Sequence, residues 1–306
     1  MKRIDFEHGT VTGNILGAAL PMLVAQILNL LYNIVDRIYI ARIPNIGTAA
    51  LGAVGLCFPL IVVITAFSNL FGSGGAPLFS IYRGKGEPQR AANVMNTSFT
   101  MVCVCAVVLM AVGFIFARPL LVLFGASTDA LVYAYPYLMI YLIGTLPSMI
   151  ATGMNPFINA QGYSTIGMTS VAVGAVANLL LDPLFIFGFG WGIKGAAWAT
   201  VIGQVASGVL VIVYFCKFRK MYLSGEMLKP KLSYLGAIIS LGLASCINQI
   251  AMAIVQIVLN NILRYYGANS VYGSDIPIAC VGVISKVNQV FMAICIGISQ
   301  GSQPNW

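Results

Sequence analysis

Eight long apolar runs govern what this sequence can fold into. They fall near residues 14–41, 51–80, 93–117, 129–151, 164–188, 194–216, 233–263 and 276–299. A helix needs about 20 consecutive apolar residues to cross the hydrocarbon of a bilayer. Inside lipid every backbone N–H and C=O must be satisfied within the segment, which favours helices for runs of this length. The sequence therefore predicts an all-α polytopic membrane protein with about eight transmembrane helices. Composition agrees, since only 8% of the 306 residues are charged. Soluble domains carry about 25%. An ordinary cytosolic enzyme, a disordered chain and a nucleic-acid binder are excluded on that ground. The first run is too long for a cleaved signal peptide, and it contains Asp36.

The formal net charge is +8, from 16 Lys and Arg against 8 Asp and Glu. Basic residues collect in cytoplasmic loops, so the excess orients the bundle. With the N-terminus inside, the inner segments hold Lys2, Arg3, Arg83, Lys85, Arg90, Lys217, Arg219, Lys220, Lys229 and Lys231. The outer ends hold only Arg37, Arg42, Arg118, Lys194 and Arg264, while Lys286 falls within the last run. The expectation is a multi-pass protein of the cell inner (plasma) membrane with a cytoplasmic N-terminus. Membrane lipid is its surrounding partner, and no obligate protein partner is evident. The seven cysteines all lie in apolar stretches and read as small apolar residues.

The chain also resembles itself. Leu20–Gln26 aligns with Leu243–Gln249 at an offset of 223, and Gly72–Pro77 with Ser299–Pro304 at 227. Two ordered matches at nearly one offset suggest two halves in the same orientation. The first half is residues 1–220 with spans one to six. A cytoplasmic linker covers 221–232, and a partial second half covers 233–306 with spans seven and eight. On this reading the chain is short of four further spans, and a non-transporting truncated fragment stands as one alternative.

Two of the eight acids, Asp36 and Asp182, lie inside apolar runs. Each sits about six residues from the outer end of its span, roughly 9 Å below the surface. A carboxylate in lipid costs several kcal/mol and usually serves function. Gln26, Asn29, Asn33 and Asp36 are spaced 3, 4 and 3, which makes one stripe on the first helix. Asn178 and Asp182 share a face of the fifth. A proton or a small hard cation would neutralise the pair, and each charge carried inward yields about 2.3 kcal/mol per 100 mV. Pro21 sits mid-span, where it removes a backbone hydrogen bond and can bend the helix.

Other motifs carry no chemistry. Gly190-Trp191-Gly192-Ile193-Lys194-Gly195 fits GxGxxG, but an apolar helix precedes it, not a strand. Arg83-Gly84-Lys85-Gly86 lacks the spacing of a phosphate-binding loop. The one histidine is His8, so there is no catalytic residue set, and no enzyme is expected. Asn96-Thr97-Ser98 is a glycosylation sequon placed at an inner helix end.

Leu31-Tyr32-Asn33-Ile34-Val35-Asp36-Arg37 resembles the first-helix signature of the multidrug and toxic compound extrusion (MATE) family, in its DinF-like prokaryotic branch. So do Asn178–Phe187 with Gly195–Thr200, and Gly297–Pro304 resembles that family's eighth span. The resemblance implies twelve helices in two six-helix lobes. It implies antiport of cationic or lipophilic small molecules against protons or sodium, with no cofactor beyond the coupling ion. It places that ion at Asp36, Asn178, Asp182 and Thr200, with Asn155 beside them and Pro21 as the bending point. It lines the cavity with Tyr32 and Tyr137, beside the Gln26, Asn29 and Asn33 stripe. Sodium is the one metal it allows, at Asp36, Asn178, Asp182 and Thr200. A lipid or oligosaccharide-precursor flippase of the same superfamily is the second alternative. Two intramembrane acids against Lys286 favour cationic cargo over a phosphate headgroup.

Overall fold

The structure, a computed structural model, describes residues 11–124, 126, 128–218 and 231–268, with isolated positions from 284 to 299. Eight α-helices run in chain order: α1 Val11–Ala41, α2 Gly47–Gly84, α3 Pro88–Leu123, α4 Thr128–Ile143, α5 Thr145–Ala160, α6 Ser164–Pro183, α7 Ile193–Val213 and α8 Leu232–Ala268. Single π-helical turns, Leu184–Gly188 and Tyr214–Phe218, extend α6 and α7. Among the described residues six helices are long and apolar enough to cross a membrane, and the bent pair α4–α5 meets the same length and composition test when taken together. Among the described residues there is no strand. The protein is thus an all-α membrane protein. Most of the expected eighth span at 276–299 and of the Gly297–Pro304 motif, Lys286, and almost all of the 221–232 linker lie outside the described residues.

One expectation is corrected. The fourth apolar run was expected as a single span over 129–151. It is two helices, Thr128–Ile143 and Thr145–Ala160, meeting at a 57° bend. The cause is local. Pro147 has no N–H to return to the Ile143 carbonyl, and its ring clashes with that turn. Helices tolerate proline in their first turn, so α5 restarts just ahead of it.

Burial follows a membrane pattern. Ser68, Thr97, Ser98, Thr145, Asn178 and Asp182 are buried, whereas Ile115, Phe116, Val132, Val176 and Leu180 face outward. Polar groups are expensive in hydrocarbon and apolar ones are free there, so the bundle carries its polar residues inside. The sequon Asn96-Thr97-Ser98 is part of that interior, with Thr97 Oγ1 accepting from the Lys231 amide at 3.3 Å.

Small residues let the helices approach closely, as lipid-phase packing requires. On Gly72 of α2 an added methyl would lie 2.6 Å from the Gly153 carbonyl oxygen of α5. Backbone on both sides leaves little room to adjust. Gly72→Ala is expected to cost about 1–3 kcal/mol. Thermal unfolding in detergent checks this, and an unchanged Tm would show that α2 and α5 can separate freely.

Candidate functional site

Four helices bring the site together. α1 supplies Asp36, α6 supplies Asn178 and Asp182, α7 supplies Thr200 and α4 supplies Tyr137. α1 packs along α6, and α6 along α7. The Asp36 and Asp182 carboxyls meet within hydrogen-bond reach. Asp182 is fully buried and Asn178 is 3% exposed. Asp36 Oδ1 is buried with no donor on it.

Asn178 ties the pair to α7. Its amide nitrogen lies 3.3 Å from Thr200 Oγ1 and 3.5 Å from Asp182 Oδ1. Turned over, the amide donates to Asp182 Oδ2 at 3.2 Å and accepts from the Thr200 backbone N–H at 3.2 Å. The second orientation gives the carboxylate the shorter bond and is the better of the two. The Thr200 hydroxyl donates to the Ala196 carbonyl at 3.0 Å, which leaves its lone pairs facing Asn178. Pro183 follows Asp182 directly, and the helix widens there into the π-turn Leu184–Gly188.

Tyr137 is 3% exposed and lies within electrostatic reach of both carboxyls. Tyr32 touches Asn33 and faces Asp36 from one turn along α1. Asn33 bonds within its own helix, donating to Asn29 O at 2.7 Å and Asn29 Oδ1 at 2.9 Å. Gln26 and Pro21 are half-buried, and α1 continues through Pro21 without a break.

Asn155 is elsewhere. It donates to Gly167 O at 3.0 Å and to Ser170 Oγ at 3.2 Å, and accepts from Asn159 at 3.0 Å. Gly167 and Asp182 stand fifteen residues apart on α6, roughly 22 Å along its axis. The structure brings Asp36, Asn178, Asp182, Thr200, Tyr32 and Tyr137 together, and leaves Asn155 to fasten α5 to the far end of α6.

Two residues of this region escaped the sequence reading. Tyr141 stacks on Tyr137 with ring centroids 6.3 Å apart, and the Gln204 side chain reaches its hydroxyl. Both stand four residues beyond a site residue, Tyr137 and Thr200, so helical spacing held the signal.

Two buried carboxyl groups in contact repel one another when ionised, and removing them from water adds to the cost. The arrangement is at ease only with positive charge between the oxygens. A proton or a small hard cation fits, since Asp36, Asn178, Asp182 and Thr200 offer oxygen atoms only. Among the described residues no cluster of three or more His, Cys, Asp and Glu forms a transition-metal site.

Comparison with known proteins identifies the family and the fold. The MatE family model matches residues 21–184, which include both acids. The multidrug export protein MepA of Staphylococcus haemolyticus is 26% identical over 98% of this chain, and that of Staphylococcus aureus strain MRSA252 is 25% identical. The chain spans 64% of the length of either relative. Among solved structures, a MATE transporter in complex with MaL6 superimposes with TM-score 0.88 at 23% identity, over 98% of this chain and 65% of that one. A MOP superfamily transporter from Pyrococcus furiosus gives 0.86 at 22%, again over 98% and 65%. At such identities the superpositions speak for the fold. With more than half of its length matched by the family model, this chain belongs to the MatE family.

Proposed function

We propose that this chain works as a secondary active efflux transporter of the plasma membrane, exporting cationic or lipophilic small molecules in exchange for protons or sodium. α1–α7, within residues 1–220, act as the N-terminal lobe. Residues 221–232 link it on the cytoplasmic side to 233–306, part of a C-terminal lobe. The chain starts in the cytoplasm. The observation that carries this reading is the contact between the Asp36 and Asp182 carboxyls, deep among apolar helices.

The geometry supplies a way to couple the two fluxes. With a proton or sodium between them, the carboxyls hold α1 against α6. Without it they repel, and α1 is free to move at Pro21. The same carboxylates attract a cationic drug once the ion has left, so drug and ion compete for one charge. Each ion moving inward through the potential contributes about 2.3 kcal/mol per 100 mV.

Vesicles containing the protein and a fluorescent cationic dye test this. An imposed proton or sodium gradient is expected to drive the dye against its own gradient. Dye movement indifferent to both gradients would sink the proposal. Thr200→Val gives a finer check. Without the hydroxyl, the bound ion loses an oxygen partner worth about 1–1.5 kcal/mol. The coupling ion should then be needed at roughly tenfold higher concentration for half-maximal rate. An unchanged half-maximal concentration would remove Thr200 from the ion's surroundings.

A further inference from the structure

The bend between α4 and α5 carries buried oxygens that have no hydrogen-bond partner among the described residues. Thr145 is fully buried, and its Oγ1 has no hydrogen-bond partner. Gln204 Oε1 is buried and unpartnered as well, and it presses against Gly144, where an added Cβ would collide with it. The Ile143 carbonyl has no N–H four residues on, because that residue is Pro147. The amide end of Gln204 is engaged elsewhere, at the Tyr141 hydroxyl. Ile143, Gly144 and Thr145 are consecutive, and Gln204 Oε1 abuts the middle one, so three neutral oxygens belong to one bend inside the bundle.

A buried acceptor without a donor costs about 1–3 kcal/mol, and here two side-chain oxygens are in that position. A hydroxyl, an amide oxygen and a freed carbonyl at the C-terminal end of a broken transmembrane helix are good ligands for a desolvated hard cation. Helix C-termini carry partial negative charge, which favours a cation further. The bend is also close to the acids. Gln204 follows Thr200 by four residues on α7, one turn on, while Ile143 and Thr145 follow Tyr137 by six and eight, roughly two turns on.

We propose that the α4–α5 bend is a second cation site, in which Thr145 Oγ1, Gln204 Oε1 and the Ile143 carbonyl hold a sodium-sized ion, further along α4 and α7 than Tyr137 and Thr200 of the carboxyl site. The site is neutral, unlike the carboxyl pair. It takes a monovalent cation without titrating, and its occupancy does not depend on the transport reading.

The test uses the whole chain in detergent with Asp36→Asn and Asp182→Asn together, so that the carboxyl pair cannot hold sodium. Sodium replaces choline at constant ionic strength while Tm is followed. A ligand that binds only the folded state raises Tm saturably. A saturable sodium-dependent rise is expected in this background, and potassium, being larger, should give less. Adding Thr145→Val or Gln204→Leu should abolish the rise, while Thr145→Ser, which keeps the hydroxyl, should retain it. No rise in the double mutant overturns the second site. A rise that survives both Thr145→Val and Gln204→Leu overturns it too, and places the ion elsewhere. If either variant fails to fold, Gly144→Ala replaces it, since the new methyl displaces the Gln204 oxygen, and a rise retained there also overturns the site.

Discussion

Asp36→Asn is expected to reduce drug resistance to that of cells lacking the protein, with membrane abundance unchanged. The asparagine matches the carboxyl in shape, so packing of α1 on α6 survives. It removes one of two charges that repel each other across a buried contact, which if anything relieves the fold. What it cannot do is take up and release an ion. Export driven by ion exchange then stops, and the loss should exceed about 100-fold in rate, because no other acid of the described interior meets Asp182. Inhibitory drug concentrations and an immunoblot of membranes give both readouts. Normal resistance with normal abundance would dismiss Asp36 from the exchange. Asp182→Leu should behave differently. It strands the Asn178 amide in the interior, at about 1–3 kcal/mol, so abundance should fall together with resistance.

That contrast rests on details that differ in how far they could be read from the residues. The positions of the first seven spans were legible apart from the break within the fourth, because apolar length is set by the bilayer and needs no tertiary contact. The pairing of Asp36 with Asp182 was partly legible, since equal depth on two helices follows from counting residues to the span ends. Their contact required knowing that α1 lies beside α6. Asn155 shows the limit. Its place beside the acids came from resemblance alone, whereas its amide closes on the Gly167 carbonyl, at the other end of α6. The break at Gly144 was within reach, since Pro147 marks it, but the run around it stays apolar and hides a change of direction. Tyr141 and Gln204 lay in plain helical register with Tyr137 and Thr200. A tyrosine and a glutamine in apolar runs are too common to single out until a bend places unsatisfied oxygens next to them.

Gly242→Leu is expected to unseat α8 from the rest of the bundle. At this crossing the two helices meet backbone to backbone. A Cβ on Gly242 would collide with the Leu70 carbonyl oxygen, and one on Gly74 with the Ile238 carbonyl oxygen and, at 2.8 Å, the Gly242 nitrogen. Leu70 and Gly74 are one turn apart on α2, as are Ile238 and Gly242 on α8, so the contact runs along a full turn of each. Helices in lipid gain nothing from hydrophobic exclusion, and such a crossing is held by close packing and weak Cα–H···O contacts. A leucine must push the axes apart, and α2 cannot retreat, because it packs on α3, α4 and α5 behind it. The cost should reach about 3 kcal/mol, which is on the order of 100-fold in the seated population. Cys246 reports it. It lies one turn beyond Gly242 and is 4% exposed, while Cys57 on α2 is fully buried in the other part of the bundle. In chains retaining only these two cysteines, Gly242→Leu should make Cys246 label rapidly with a membrane-permeant maleimide while Cys57 stays protected. Labelling of both would mean that the whole bundle had loosened. Protection of both would mean that α8 is held by something other than the glycine crossing.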